Sequence, residues 1–284
     1  MHNRPPLKVL IVGYGDLGGA IAKRLNDLKA QVYAVARSAK VASQVTMLQA
    51  DVTKLSSLSV LRTIQPNIIV YCVAATGQTD EQYQQAYVEG LRNVLQTQHG
   101  NPQLQHVFFV SSTRVYGQTT DTLLDENTVA LPVDFGGERL LEAESLLNTL
   151  ACNTTVLRLS GIYGPGRLRM INLAKAPERW PVHNTWTKRI QRDDAANFVV
   201  HLIQQVIAGA QINPCYIVTD SKPVSQYEVL NWIATQLGME PNTPPVINGG
   251  KRLSNQAMLS TGFVLQYPDY QVGYQALLTE LARE

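Results

Sequence analysis

Val9-Leu10-Ile11-Val12-Gly13-Tyr14-Gly15-Asp16-Leu17-Gly18 is the stretch that decides the fold of this chain. Its first four residues are apolar and mostly β-branched, and they read as a short buried strand. Glycines then stand at 13, 15 and 18. From Leu17 onward the apolar residues Leu17, Ile21, Leu25 and Leu28 recur at helical spacing. Between a strand and a helix each glycine has a physical task. The first permits a tight turn, the second lets backbone approach a phosphate chain, and the third lets the helix pack close to the strand. The helix N-terminus adds N–H groups and a positive dipole end. Gly13, Tyr14, Gly15, Asp16, Leu17 and Gly18 are therefore expected to cradle the pyrophosphate of a dinucleotide. The alternative is an ordinary strand–helix turn. It is the weaker one because the motif follows an apolar strand directly and opens an amphipathic helix.

Outward from this turn, strand and helix patterns alternate. Strands are expected over 7–12, 31–36, 45–50, 67–73, 106–111 and 154–159, with helices over 17–28, 81–97 and 134–150. Such alternation implies a parallel sheet covered on both faces. After Ser160 the rhythm changes. Residues 161–188 read as loop with short helix, 192–207 as helix, 215–219 as strand, 225–237 as helix, 241–245 as a proline-rich connector and 273–282 as helix. The expected fold is α/β, a Rossmann-type doubly wound parallel sheet with a smaller interleaved C-terminal substrate lobe. Residues 1–160 would form the dinucleotide-binding domain, with 189–220 returning to it. The lobe would comprise 161–188 and 221–284.

The 284 residues are 45% hydrophobic and 16% charged, enough for one large core or a main domain with a smaller partner. A formal net charge of +2 makes no case for nucleic acid or an anionic membrane as the main partner. Cys72, Cys152 and Cys215 are few, odd in number and set in apolar runs, which argues against a disulfide framework and for buried, reduced thiols. The polar opening residues and the lack of a long apolar run point to a cytoplasmic protein without a membrane span. The histidines show no metal-ligand spacing, so no metal is expected.

The identity of the dinucleotide turns on the end of the second strand. An NAD site usually places a carboxylate there to bind the ribose 2′-hydroxyl. This chain has Val35-Ala36-Arg37-Ser38. Arg37 could hold a 2′-phosphate through its planar fork, assisted by Ser38 and Lys40, so NADP is favoured over NAD. Otherwise Arg37 is a solvated loop residue. Asp51, at the end of the third strand, is placed to reach the adenine amino group, and Val52 beside it joins the cofactor-binding set. The alternative for Asp51 is a helix N-cap.

Further segments resemble a known family. Val73-Ala74-Ala75 follows the fourth strand. Val110-Ser111-Ser112-Thr113-Arg114-Val115-Tyr116-Gly117 is similar to an active-site strand. Arg158-Leu159-Ser160-Gly161-Ile162-Tyr163-Gly164-Pro165-Gly166 leads into the second lobe. Asp193-Asp194 precede a helix, and Arg252-Leu253-Ser254-Asn255 lies near the C-terminus. Together these resemble the extended short-chain dehydrogenase/reductase superfamily, in an atypical branch of NAD(P)-dependent epimerase/dehydratase-like proteins. The resemblance implies that Ala74 and Ala75 line the adenine–ribose side and that Ser112 supplies the active-site hydroxyl. It also implies a Tyr and, four residues on, a Lys at the start of the long helix. Here Phe135 and Arg139 take those places. Phenylalanine has no proton to give, and arginine stays charged and is a poor proton relay. Arg139 could still bond the nicotinamide ribose.

Tyr116 or Tyr163 would then have to serve as the acid. The alternative is that Tyr116 packs under a loop and Tyr163 binds substrate. Thr113 and Arg114 replace the acidic pair of the dehydratase subgroup, which argues against sugar-nucleotide dehydration by that route. Asp193 and Asp194 read as an N-cap and lobe contact. Arg167, Arg169, Lys188 and Arg189 are either an anion site or a solvated basic rim. The helices beginning near Glu81 and Asp134 resemble the surface through which such proteins form homodimers.

The resemblance implies an oxidoreductase or epimerase that binds NAD(P) and a small polar substrate, anionic or nucleotide-linked. The alternative is a non-catalytic dinucleotide-binding sensor or regulatory module.

Overall fold

A computed structural model describes residues 6–283. Residues 1–5, part of the polar opening stretch, lie outside the described residues. Along the first half run β1 (Lys8–Val12), α1 (Asp16–Asp27), β2 (Gln31–Ala36), β3 (Val45–Gln49), β4 (Ile68–Tyr71), α2 (Asp80–Tyr83), α3 (Gly90–Thr97) and β5 (His106–Ser112). Then follow β6 (Leu123–Leu124), α4 (Phe135–Leu146), β7 (Asn153–Leu159), β8 (Gly161–Tyr163), α5 (Arg169–Ala174), β9 (Asn184–Thr187), β10 (Arg189–Gln191), α6 (Arg192–Ile207) and β11 (Cys215–Val218). The chain closes with β12 (Val224–Ser225), α7 (Gln226–Gln236), β13 (Ile247–Gly250), β14 (Arg252–Leu253), α8 (Gln256–Leu259) and α9 (Tyr270–Leu281).

The large sheet has seven strands in the order β11-β7-β5-β4-β1-β2-β3. β1 pairs in parallel with both β2 and β4, β2 with β3, and β4 with β5. Val9 to Val12 and Ile68 to Tyr71 are fully buried, as continuous apolar strands in the centre of a parallel sheet should be. α1 turns Leu17, Ile21, Ala22 and Leu25 inward. The order of strands reverses at β1, with β2 and β3 on one side and β4 and β5 on the other. That makes the gap between the C-terminal ends of β1 and β4 the switch point where ligands enter doubly wound folds. The chain is an α/β, Rossmann-type protein.

The chain divides into two compact units. One comprises the residues up to Gly117 with 130–158 and 196–216; the other comprises 118–129, 159–195 and 217–284. The second has its own core, in which Tyr163, Ile171, Trp180, Leu230, Ile233 and Tyr274 are buried together.

Several elements depart from the sequence reading. The single helix expected over 81–97 is α2, a π-helical stretch Gln84–Glu89, and α3. The fully buried Tyr71 hydroxyl donates to the Ala86 carbonyl, and a side chain inserted into the hydrogen-bond ladder widens it. A 3-10 helix, Leu55–Thr63, precedes β4 and was not anticipated. Leu55, Leu58 and Leu61 repeat every third residue, the period of that helix, and Leu58 and Leu61 are fully buried. The stretch 161–188, read as loop with short helix, also carries β8 and β9. These pair with β10, β12 and β13, partners far along the chain. α9 begins earlier than expected because Asp269 caps it by accepting from the Val272 N–H. The three cysteines are half-buried rather than buried, and none is in a disulfide. Among the described residues no helix is long and apolar enough to cross a membrane.

Candidate functional site

The glycine turn sits at the switch point. Gly13 has φ +105°, and a Cβ on it would lie 2.8 Å from the backbone of Cys72 and Val73, just beyond β4. A Cβ on Gly18 would run into the Gly13 carbonyl oxygen. These two positions tie the turn to β4 and to α1. Gly15 is the opposite case, because a Cβ there would meet nothing within 4 Å. The N–H groups of Gly13 and Tyr14 donate to the Val35 carbonyl at 3.2 and 2.9 Å, and Gly15 N–H donates to Gly13 at 2.9 Å. α1 then starts without a side-chain cap. Leu17 and Gly18 are buried and offer only backbone; Asp16 is exposed. A closed turn, one open glycine face and an uncapped helix start together fit a pyrophosphate.

Beside the turn, Arg37, Ser38 and Lys40 are all exposed at the end of β2. Lys40 Nζ donates to the Tyr14 carbonyl at 2.7 Å and lies 5.7 Å from the Tyr14 ring centroid. That brings a second cation, after Arg37, beside the glycine turn. Asp51 accepts from the N–H and hydroxyl of Thr53 at 3.0 and 2.8 Å. It does not cap the helix that follows, whose N-cap is Lys54. Burial acts to raise the Asp51 pKa, but the Thr53 bonds, Lys54 and Arg37 hold it below its ordinary value. Val52 is buried and its carbonyl accepts from Asn93 Nδ2 at 2.9 Å. Ala74 is exposed and Ala75 half-buried in the stretch after β4. The Cys72 thiol donates to Gly13, and burial pushes its pKa up to about 12.

Ser112 ends β5 on the neighbouring strand. Its half-buried hydroxyl accepts from the Arg114 N–H at 3.2 Å and caps the short turn Thr113–Val115. That bond leaves the hydroxyl hydrogen to donate. Tyr116 is fully buried, with its hydroxyl accepting from Arg158 Nη1 at 2.7 Å. Arg158 pairs with Glu144 at 2.7 Å, and Glu144 accepts from the Ser111 hydroxyl at 2.6 Å. Tyr116 therefore belongs to a buried polar network.

In the second unit, Tyr163 is buried and stacks on Tyr274 with centroids 4.5 Å apart. Burial, with Asp220 nearby, raises its pKa above that of an ordinary phenol. Asp194 is fully buried and accepts from the N–H groups of Gln266 and Tyr267 at 2.9 and 2.8 Å. Asp193 pairs with Arg192 at 3.1 Å. Arg189 is buried, and burial lowers the Lys188 pKa to about 8, so neither belongs to a solvated basic rim.

The start of α4 holds Phe135 and Arg139, the positions where the resemblance implies a tyrosine and a lysine. Asp134 caps the helix by accepting from Gly137 N–H and takes Arg114 Nε on both oxygens, at 2.9 and 3.0 Å. Phe135 meets Tyr83 edge-on at 5.5 Å. Arg114 lies 5.0 Å from the Tyr83 centroid and 5.2 Å from that of Phe135, and its Nη1 donates to the Tyr83 hydroxyl at 2.7 Å. Arg139 grips Asp80 with Nε and Nη2, at 2.6 and 3.0 Å, and Glu142 with Nη1 at 2.9 Å. Its fork is therefore occupied by carboxylates. The sequence reading did not single out Tyr83 and Tyr87 or their association with Arg114. The available signal was their four-residue spacing within one helical pattern.

The family model described as the RmlD substrate binding domain matches residues 7–257. Protein YeeZ of Escherichia coli K12 is 29% identical over 283 residues, covering 92% of this chain and 97% of that protein. A Methylobacillus flagellatus protein, to which an NAD-dependent epimerase/dehydratase activity is ascribed, is 46% identical. It superposes with a TM-score of 0.89, covering 99% of this chain and 100% of that one. The Bordetella bronchiseptica enzyme WbmG, in complex with NAD and UDP, shares the fold at 15% identity. Its TM-score is 0.82, covering 98% of this chain and 96% of that one.

Proposed function

Because this chain belongs to the RmlD substrate binding domain family, we propose that it is an NAD(P)-dependent oxidoreductase or epimerase of a small polar, nucleotide-linked substrate. One observation carries this reading. At the switch point, Gly13 and Gly18 are packed against backbone while Gly15 faces open space. A turn that served only to join strand to helix would not need its middle glycine bare. The substrate class is suggested by WbmG, whose complex contains UDP as well as NAD.

In this reading the turn residues and the first turn of α1 bind the pyrophosphate. Arg37, with Ser38, holds a 2′-phosphate, and Lys40 adds positive charge, so NADP is the favoured form. Asp51 and Val52 bound the adenine, and Ala74 and Ala75 line the ribose side. When bound, the dinucleotide accepts or gives hydride. Ser112 donates a hydrogen bond to the reacting oxygen and orients it. The burial of Tyr116 and Tyr163 favours structural roles for both over that of acid. A homodimer through α2, α3 and α4 is part of the proposal.

A second reading, a dinucleotide-binding sensor without turnover, is favoured by Phe135 and by the occupied fork of Arg139. Calorimetric titration with NADP⁺, NADPH, NAD⁺ and NADH tests the shared premise. Tight NADP(H) binding that Arg37→Asp weakens or switches toward NAD(H) supports it; no binding of any dinucleotide overturns it. Consumption of reduced cofactor with UDP-linked ketosugars then favours the enzyme over the sensor.

A further inference from the structure

We propose that the protein carries a second small-molecule site, for an aliphatic organic cation of the alkylammonium or alkylguanidinium kind, at the edge of the large sheet opposite the glycine turn.

The place is a cavity of about 400 Å³, within the size range of small-molecule sites. Its walls come from one compact unit. Of its lining residues, His106 opens β5, Asn153 opens β7 and Pro214 directly precedes β11. It therefore lies at the N-terminal ends of these strands. The glycine turn follows the C-terminal end of β1, and β1, β4 and β5 run parallel. The two places are separate, so this inference does not depend on the dinucleotide reading.

The first observation is the proton on His106. This residue is 2% exposed and lines the cavity. Its Nε2 lies 3.0 Å from the Thr155 hydroxyl. That hydroxyl has a single hydrogen and donates it to the Asn213 carbonyl at 3.1 Å. Thr155 Oγ1 must then accept from His106, which places the ring hydrogen on Nε2 and a lone pair on Nδ1. Nδ1 takes no hydrogen bond among the described residues, and it is not among the polar atoms sealed off without a partner. Burial keeps the ring neutral, with a pKa of about 4. The cavity wall thus presents a fixed acceptor that calls for a donor.

The second observation is charge. α4 runs on into a 3-10 turn, Leu147–Thr149, whose Leu147 and Asn148 line the cavity. α6 also ends there, through Val206 and then Gly209. A helix C-terminus carries partial negative charge that a nearby cation offsets. Neither helix has a basic residue in its last turn. No lysine, arginine, aspartate or glutamate lines the cavity among the described residues. Two negative dipole ends therefore meet at a wall that supplies no cation, and a ligand anion is repelled by both.

The third observation is the lining itself. Leu147, Leu150, Val206 and Ile212 give an apolar surface for a hydrocarbon stem. The side-chain amides of Asn148, Asn153 and Gln211 make no hydrogen bond among the described residues and offer further acceptor oxygens. An aliphatic stem ending in a charged N–H group satisfies the stem wall, the acceptors and the dipole ends together. A neutral alcohol leaves the dipole ends unmet.

The test uses the full chain and four probes with one stem: n-butylammonium, n-butylguanidinium, n-butanol and butyrate. Calorimetric titration reads affinity, and the ¹⁵N resonances of the His106 ring read the place. The two cations should saturate. n-Butanol should bind about threefold to thirtyfold more weakly, the contribution of two helix ends, and butyrate should not bind. Cation binding should shift the Nδ1 resonance while Nε2 stays protonated. Ala210→Lys places an ammonium in the same cavity from an exposed lining position, and it should abolish cation binding without lowering the Tm. Cations that bind no tighter than n-butanol, an Nδ1 resonance that does not move, or binding that survives Ala210→Lys overturns the proposal. So does the failure of both cations to saturate, a result that wild-type protein delivers whether or not the variant folds.

Discussion

A Cβ on Gly18 would lie 2.1 Å from the Gly13 carbonyl oxygen, whereas one on Gly15 would meet nothing within 4 Å. Two glycines of one turn therefore answer to different demands. Gly18 is required by packing within the protein; no packing within the protein requires Gly15, whose open face is where the proposed dinucleotide would approach.

Gly18→Ala should destabilise the fold by about 1–3 kcal/mol, because the obstructing atom is backbone and cannot rotate away. Gly15→Ala should leave the urea midpoint almost unchanged and weaken dinucleotide binding. Paired urea melts and calorimetric titrations read both effects. Equal loss of stability in the two variants would contradict this division of roles.

Arg158→Met should be among the most damaging substitutions in the first unit. The Arg158–Glu144 pair has side chains only 12% and 9% exposed. Removing one partner of such a pair typically costs about 3–5 kcal/mol, since the other charge stays buried. Tyr116 also loses its donor. The double variant Arg158→Met with Glu144→Leu should recover part of the loss in urea denaturation.

His106 makes stability fall on mild acidification. Its ring is buried and bonded to the Thr155 hydroxyl at 3.0 Å, and burial lowers its pKa to about 4. An unfolded histidine titrates near 6.5. Above about pH 6.5 both states are neutral and the residue adds no pH dependence. Between about pH 6.5 and pH 4 only the unfolded state gains the proton, so stability declines, by an amount on the order of 3 kcal/mol at the lower end. His106→Gln should flatten the slope of unfolding free energy against pH in that window. An unaltered slope would show that other groups produce it.

Arg139 and Asp80 form an exposed ion pair, in which Arg139 holds the Asp80 carboxyl below the usual carboxylate range. Exposed pairs contribute little to folding. Asp80→Ala should therefore leave thermal stability nearly unchanged. If Arg139 serves the nicotinamide ribose, releasing its Nε and Nη2 from Asp80 should tighten NADP⁺ binding while Arg139→Ala weakens it. Matching affinities in wild type and both variants would remove Arg139 from the cofactor site.

The sequence by itself determined the main strands, the glycine turn at the end of β1, and the missing carboxylate at the end of β2. These features are local. A buried strand is a run of apolar residues, and a phosphate turn is a spacing of glycines, so neither needs knowledge of distant partners. The expectation that Phe135 stands where the resemblance implies a phenol was equally a matter of reading one motif. Tertiary structure decided what surrounds that position. Tyr83, Tyr87, Arg114 and Phe135 come together from α2, the π-helical stretch, the turn after β5 and the start of α4. No spacing along the chain encodes that meeting. The π-helical stretch depends on a hydrogen bond from Tyr71 to Ala86, and the carboxylates that hold Arg139 include Asp80, far away in sequence. The short strands β8, β9 and β10 likewise exist only through pairing across the fold. Periodicity records which residues face a core. Which polar groups meet is set by long-range packing.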